Sequence, residues 1–267
     1  MARAFPSVAI ENVQPLIDCG RYPIRRTVGE DLVVEADIFK DGHDVVAAVL
    51  KWRVLGKRGW RETPMAFVDN DLWRGVCTLY DEAIHEYTVE AWTDTFRSWQ
   101  QEFAKKFDGG ISDLRSEALE GAAIVKAAAG RARNRVDAAR LGEFAEQIAN
   151  GANSEIYVIV RSGELEVLMA TYPDRADATQ YEPSPSVVVD RTAALFGAWY
   201  EFFPRSAEGR GDRGSTFRDC LLRVDDAKAM GFDVIYFPPI HPIGKINRKG
   251  KNNNVRSTAG EPVTCNL

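Results

Sequence analysis

The sequence predicts a chain of several domains: an all-β first segment, a helical segment, and then a parallel β-α-β unit. Three observations carry that prediction. Short runs of alternating apolar and polar residues, spaced by turn residues, recur from residue 5 to about residue 100. Around Ser98 the alternation stops, and Ala, Glu, Arg and Leu dominate from Trp99 to Asn150. Beyond Phe196 comes an aromatic run, a glycine-rich loop, an amphipathic stretch and a compact apolar run.

Length and composition bound the function. At 267 residues, with 45% hydrophobic and 27% charged residues, the chain is an ordinary globular protein with room for two domains. Its net charge of −5 argues against a nucleic-acid or anionic-membrane partner. No apolar run reaches transmembrane length, and Met1 to Pro6 is too short of apolar residues for a signal peptide. Cys19, Cys77, Cys220 and Cys265 are scattered without a CxxC or His/Cys cluster, so they read as free thiols in a reducing cytosol.

In the first segment, Leu32 to Phe39 alternates as a strand and Lys40-Asp41-Gly42-His43 is a turn. Val45 to Val54 gives a second strand. Arg53 to Trp60 bends through Gly56 and Gly59, and Glu62 to Val68 gives a third. After the Asp69-Asn70-Asp71 turn, Leu72 to Leu79 and Glu86 to Thr93 complete the pattern. Turn signals at this spacing predict a β-sandwich of immunoglobulin type, with Trp73, Trp92 and Trp99 as core or edge aromatics.

In the helical segment, Glu102 and Lys106 form an i, i+4 pair and Gly109-Gly110 break the run. Ser112 is placed to cap a helix through Leu114, Leu119, Ile124 and Val125. Gly130 weakens it, and Asn134 to Asn150 forms another helix with Leu141, Phe144 and Ile148 on one side. Such thin, Ala-rich faces make little core alone, so these helices are expected to lean on a partner. Ile156 to Val160 and Leu165 to Ala170 have strand propensity.

In the last segment, Gly197 to Phe203 reads as a buried strand ended by Pro204, and Arg205 to Gly214 as a loop. Ser215 or Thr216 caps a helix whose face is Phe217, Cys220, Leu221, Val224 and Ala227. Gly231 stands where a helix-ending glycine belongs, and Val234 to Phe237 is a strand stopped by Pro238-Pro239. In parallel α/β folds ligands collect beyond the carboxyl ends of the strands. Here that place holds Lys245, Arg248, Lys249 and Lys251, interleaved with Gly244, Gly250 and Asn252 to Asn254. Cations with amide donors suit a phosphorylated sugar. The plainer reading, a solvated basic loop, is favoured by the residues alone.

FGAWYEFFPRS, AMGFDVIYFPPIHPIG and RKGKNNN together resemble the bacterial α-1,4-glucan:maltose-1-phosphate maltosyltransferases of the α-amylase superfamily, glycoside hydrolase family 13. The resemblance covers roughly residues 5 to 260. It implies a first β-α-β unit of a truncated (β/α)8 barrel following an immunoglobulin-like sandwich with an α-helical insert. The implied segments are 1–104 (sandwich), 105–171 (helical insert), 172–191 (return to the sandwich, with Ser186 to Asp190 as last strand) and 192–267 (start of the barrel). It would also continue the helical insert through residues 152–171, against the strand propensity there, and both readings stay open. The implied reaction moves maltosyl from maltose 1-phosphate to the non-reducing end of an α-1,4-glucan such as glycogen. It retains configuration, releases phosphate and needs no metal or organic cofactor. Lys249 would contact the substrate, with Asn252 and Asn253 beside it in the shared motif. A cytoplasmic homodimer, with the helical insert at its contacts, is implied too.

A retaining transfer needs two carboxylates about 5–5.5 Å apart. Asp219, Asp225 and Asp226 fall on the outward face of the helix, Asp233 begins a strand at the wrong end, and Glu201 is the one left to point inward. The family's nucleophile and acid come from strands beyond the second, so no catalytic residue is expected here. Only about 70 residues follow Gly197, against about 250 for a whole barrel. We therefore expect the N-terminal part of a longer enzyme, inactive by itself. His241, pinned between prolines, reads as loop-ordering, and His43 and His85 are given no role. A rival reading is a non-catalytic carbohydrate-binding or dimerisation module using Trp60, Trp73 and Trp99. An ordinary α-amylase-type hydrolase is a third.

Overall fold

The structure, a computed structural model, describes residues 7–209, 214–241, 254 and 255. It divides into two compact units, Met1–Asp190 and Arg191–Leu267.

The first unit opens with eight strands: β1 Ala9–Gln14, β2 Ile24–Thr27, β3 Asp31–Phe39, β4 Val46–Val54, β5 Arg61–Pro64, β6 Ala66–Asp69, β7 Leu72–Thr78 and β8 Ile84–Thr93. Five helices follow: α1 Thr95–Asp108, α2 Arg115–Arg131, α3 Arg135–Asn150, α4 Asn153–Val160 and α5 Gly163–Thr171. Strands β9 Thr179–Gln180 and β10 Ser186–Asp190 then return to the sheets. One sheet runs β1-β3-β7-β6, and the other β2-β10-β8-β4-β5 with β9 on β8. Alternation in β3 sends Leu32, Val34, Ala36 and Ile38 into one core. That core also takes Ala48 and Leu50 of β4, Tyr87, Val89 and Ala91 of β8, and Val187 and Val189 of β10.

The single strand expected over Glu62 to Val68 is two strands in different sheets. Met65 is buried between them, and its N–H donates to the Ala48 carbonyl at 2.9 Å. Outward residues pair instead of packing. Lys51 meets Glu90 at 2.5 Å, Arg53 meets Glu86 at 2.6 Å, and Arg175 bridges Glu62 and Glu90.

The helices begin at Thr95, ahead of the composition change near Ser98, because the Asp94 carboxylate accepts from the Arg97 N–H at 2.9 Å. They do not need an outside partner for a core. Phe96, Trp99, Phe103, Leu114, Leu141, Phe144 and Ile148 bury one another, and α4 and α5 add Ile156, Val160, Leu165 and Met169. The approach of α1 to α2 rests on Gly121, where a Cβ would lie 1.9 Å from the Trp99 ring. The Trp99 indole donates to the Glu117 carbonyl at 2.7 Å.

One local expectation is corrected, and one segment left open between strand and helix is found to be helical. Ser112 caps no helix: α2 starts after Leu114, whose side chain is buried, and the Ser112 carbonyl accepts from Asn153. The β-branched run Ile156 to Val160 is helical: Ile156 and Val160, one turn apart, are buried in the helical core, and Val158, which a strand would put on the same face, is exposed. Ser162 Oγ caps the next helix through the Leu165 N–H.

In the second unit, β11 Trp199–Glu201 and β12 Val234–Tyr236 pair in parallel across α6 Leu221–Ala229. Among the described residues no helix is long and apolar enough to cross a membrane, and Cys19, Cys77 and Cys220 are free thiols.

Candidate functional site

Parallel pairing in the second unit places Trp199 opposite Val234, Tyr200 opposite Ile235 and Glu201 opposite Tyr236. The carboxyl ends of both strands therefore lie side by side, and their amino ends are tied together. The Asp233 N–H donates to the Ala198 carbonyl at 2.9 Å, and its carboxylate accepts from the Ala198 N–H at 2.8 Å. The role of Asp233 is thus to register two strands, at the end away from where ligands gather. Its position directly after Gly231-Phe232 was the only sequence signal for that role.

Aromatic contacts stiffen the pair. Phe202 meets Phe237 edge-on with centroids 5.1 Å apart, and Tyr200 meets Phe232 at 5.1 Å. The left-handed Gly231, with φ of +85°, turns the chain from helix to strand. The helix is shorter than its apolar spacing predicts. Thr216 and Asp219 bond to each other in a turn, and α6 starts only at Leu221. Of the expected apolar face, Cys220 and Ala227 are buried and Val224 half-buried, while Phe217 and Leu221 are exposed. Burial pushes the Cys220 thiol up from its ordinary value, so it stays protonated and packs as an apolar group.

Glu201 stands at the carboxyl end of β11 and is exposed. Asp225 and Asp226 are solvated on α6, and Asp226 reaches Arg223 at 3.4 Å. His241, just past the second strand, is exposed. The basic loop, with Lys245, Arg248, Lys249, Lys251 and Asn252, lies outside the described residues. Among the described residues no group of His, Cys, Asp or Glu is placed to hold a metal ion.

The tryptophans settle differently from one another. Trp99 is buried in the helical core, which overturns its reading as an exposed sugar-stacking ring. Trp92 is buried with Arg175 stacked over it at 4.2 Å, and Trp60 carries Arg53 at 4.1 Å. Trp73 is partly buried against the two-sheet core and donates to the Ile38 carbonyl at 3.2 Å.

Residues 6–191 match the family model for domain N/S of α-1,4-glucan:maltose-1-phosphate maltosyltransferase. Three relatives carry that enzyme's name. The one from Myxococcus xanthus is 44% identical over 98% of this chain and 40% of its own length. The one from Chlorobaculum tepidum is 39% identical over 97% of the chain and 38% of its own length. The one from Rhodospirillum rubrum is 38% identical over 96% and 39%. The chain thus spans about two-fifths of the length of these curated relatives. In each case the similarity runs on past residue 191, over the parallel β-α-β unit. The chain belongs to the α-1,4-glucan:maltose-1-phosphate maltosyltransferase family.

Proposed function

We propose that this chain is the N-terminal part of a cytoplasmic, homodimeric enzyme that transfers maltosyl from maltose 1-phosphate to the non-reducing end of an α-1,4-glucan. The transfer retains configuration and releases phosphate. In this reading the two packed sheets are an immunoglobulin-like sandwich, and the helices from Thr95 to Thr171 are an insert within it. Residues 192–267 open a (β/α)8 barrel. The single observation that carries the reading is identity of 44% over 98% of the chain to a relative of that name. The parallel pairing of β11 with β12 supports it, because such pairs begin barrels of this kind.

In the sequence Lys249 and Asn252 come after β12, and in parallel α/β folds ligands gather beyond the carboxyl ends of the strands. Lys249 would hold the phosphate of the donor as a point charge, and Asn252 would bond sugar hydroxyls. The chemistry itself needs a carboxylate nucleophile and a carboxylic acid, and the strand residues described here offer Glu201 alone at the carboxyl ends. The 267-residue chain by itself is therefore expected to release no phosphate. A purely carbohydrate-binding role fits less well, since Trp99 is buried and Trp60 and Trp92 present one ring face to a guanidinium.

Phosphate release from maltose 1-phosphate with glycogen, by the protein at the length its gene encodes, tests the reading. Activity is expected, and Lys249→Ala should lower kcat/KM for the donor by roughly 10- to 100-fold, as loss of a charge-assisted contact does. Wild-type donor kinetics in that variant would remove Lys249 from the site. Hydrolysis of glucan without use of maltose 1-phosphate would instead favour an amylase-type enzyme.

A further inference from the structure

The hairpin joining β4 to β5 is Leu55-Gly56-Lys57-Arg58-Gly59-Trp60. Gly56 and Gly59 take φ of +79° and +85°, left-handed backbone that suits glycine. The Leu55 N–H donates to the Ile84 carbonyl at 2.8 Å and the Lys57 N–H to the Val54 carbonyl at 3.0 Å. The turn is thereby fixed to the start of β8, with Lys57 and Arg58 exposed in it. Beside it opens a cavity of about 400 Å³, lined by Trp52, Arg53, Lys57, Arg58, Arg61 and His85, with Asp81 as its one carboxylate.

Charge in this cavity runs against that of the chain, which is −5 overall. Arg53 is held by Glu86 and by the Trp60 ring. Arg61 approaches Asp81 only to 3.8 Å, and among the described residues Lys57 and Arg58 have no acidic partner. His85, 2% exposed, has Nδ1 3.3 Å from the Ala83 carbonyl, which leaves Nε2 4.0 Å from the Asp81 carboxylate. A lining of four cationic side chains around one carboxylate points to an anionic ligand. The volume exceeds that of a bare ion and lies within the range of small-molecule sites.

We propose that this cavity binds the phosphoryl group of a small phosphate monoester, its oxygens met by Lys57, Arg58 and Arg61. The proposal concerns the first unit alone and does not rest on the transferase reading.

Calorimetric titration of the 267-residue chain at pH 7.5 and fixed ionic strength tests it, with glucose 1-phosphate, inorganic phosphate and glucose as probes. The Lys249→Ala variant serves as background, so that binding at the basic loop of the second unit is removed. One saturable site for glucose 1-phosphate, and none for glucose, is expected. The Lys57→Ala/Arg58→Ala double variant, altered only in an exposed turn, should weaken it by about tenfold or more. Equal affinity for inorganic phosphate would identify free phosphate as a source, and tighter binding of the ester would identify the ester. The proposal is overturned if neither phosphate binds saturably. It is also overturned if the double variant binds as tightly as its parent, or if Lys249→Ala alone abolishes binding.

Discussion

The two units of this chain treat apolar residues in opposite ways. In the first, Leu50, Tyr87, Phe103 and Leu141 are completely buried. In the second, Phe196, Trp199, Phe217, Leu221 and Leu222 are all more than half exposed, and the residues that are buried, among those described, are Pro204, Ala207, Cys220, Ala227 and Pro238. An apolar pattern specifies a face, and a second layer must exist before that face is hidden. The two sheets and five helices supply such layers within residues 7–190. Among the described residues of the second unit, two three-residue strands and one nine-residue helix do not.

That contrast sets the scale of substitution effects. Phe103→Ala should cost about 3–5 kcal/mol and Leu50→Ala about 2–5 kcal/mol, read by denaturant unfolding. Gly121→Ala should cost about 1–3 kcal/mol, because its Cβ would collide with the Trp99 ring. Gly130→Ala, at a helical position where a Cβ meets nothing within 4 Å, should instead stabilise by roughly 0.5–1 kcal/mol. Trp199→Ala and Leu222→Ala, 62% and 67% exposed, should each change stability by no more than about 0.5 kcal/mol. The contrast between units breaks if Trp199→Ala costs as much as Phe103→Ala.

What the sequence shows and hides follows the same physics. Leu32 to Phe39 was legible because one face of that strand is buried and the other solvated. The switch between β5 and β6 was not, since a chain can change sheets at Met65 without interrupting its alternation. Ile156 to Val160 has strand propensity but folds as helix, since packing against Phe107 and the helical core outweighs the small propensity difference. For α6, helical spacing was visible, but its start depended on the Thr216–Asp219 contact. The cavity at Lys57 and Arg58 gave only the Gly56 and Gly59 turn as a signal, because His85 and Asp81 arrive from another strand connection.

Acid sharpens the picture of the helical core. Lys106 lies 2.8 Å from Glu117 and 2.6 Å from Glu102, and its hydrogen bond holds the Glu117 carboxyl down to about 2. Because the folded value lies below the ordinary one near 4.5, this contribution is complete above about pH 4.5 and is lost as pH falls towards 2. Glu117→Gln should therefore lower Tm slightly at pH 7, with the difference from wild type vanishing near pH 2. A difference that persists at pH 2 would assign the effect to packing around Trp99 instead.

Amide hydrogen exchange, followed by mass spectrometry on the 267-residue chain, tests the difference between the units most directly. Peptides from β4, β8 and α1 to α3 should exchange slowly and together. Peptides covering Trp199–Glu201, Leu221–Ala229 and Val234–Tyr236 should exchange far faster under the same conditions. Equal protection of both sets would contradict the account, since it would mean that the second unit closes a core of its own.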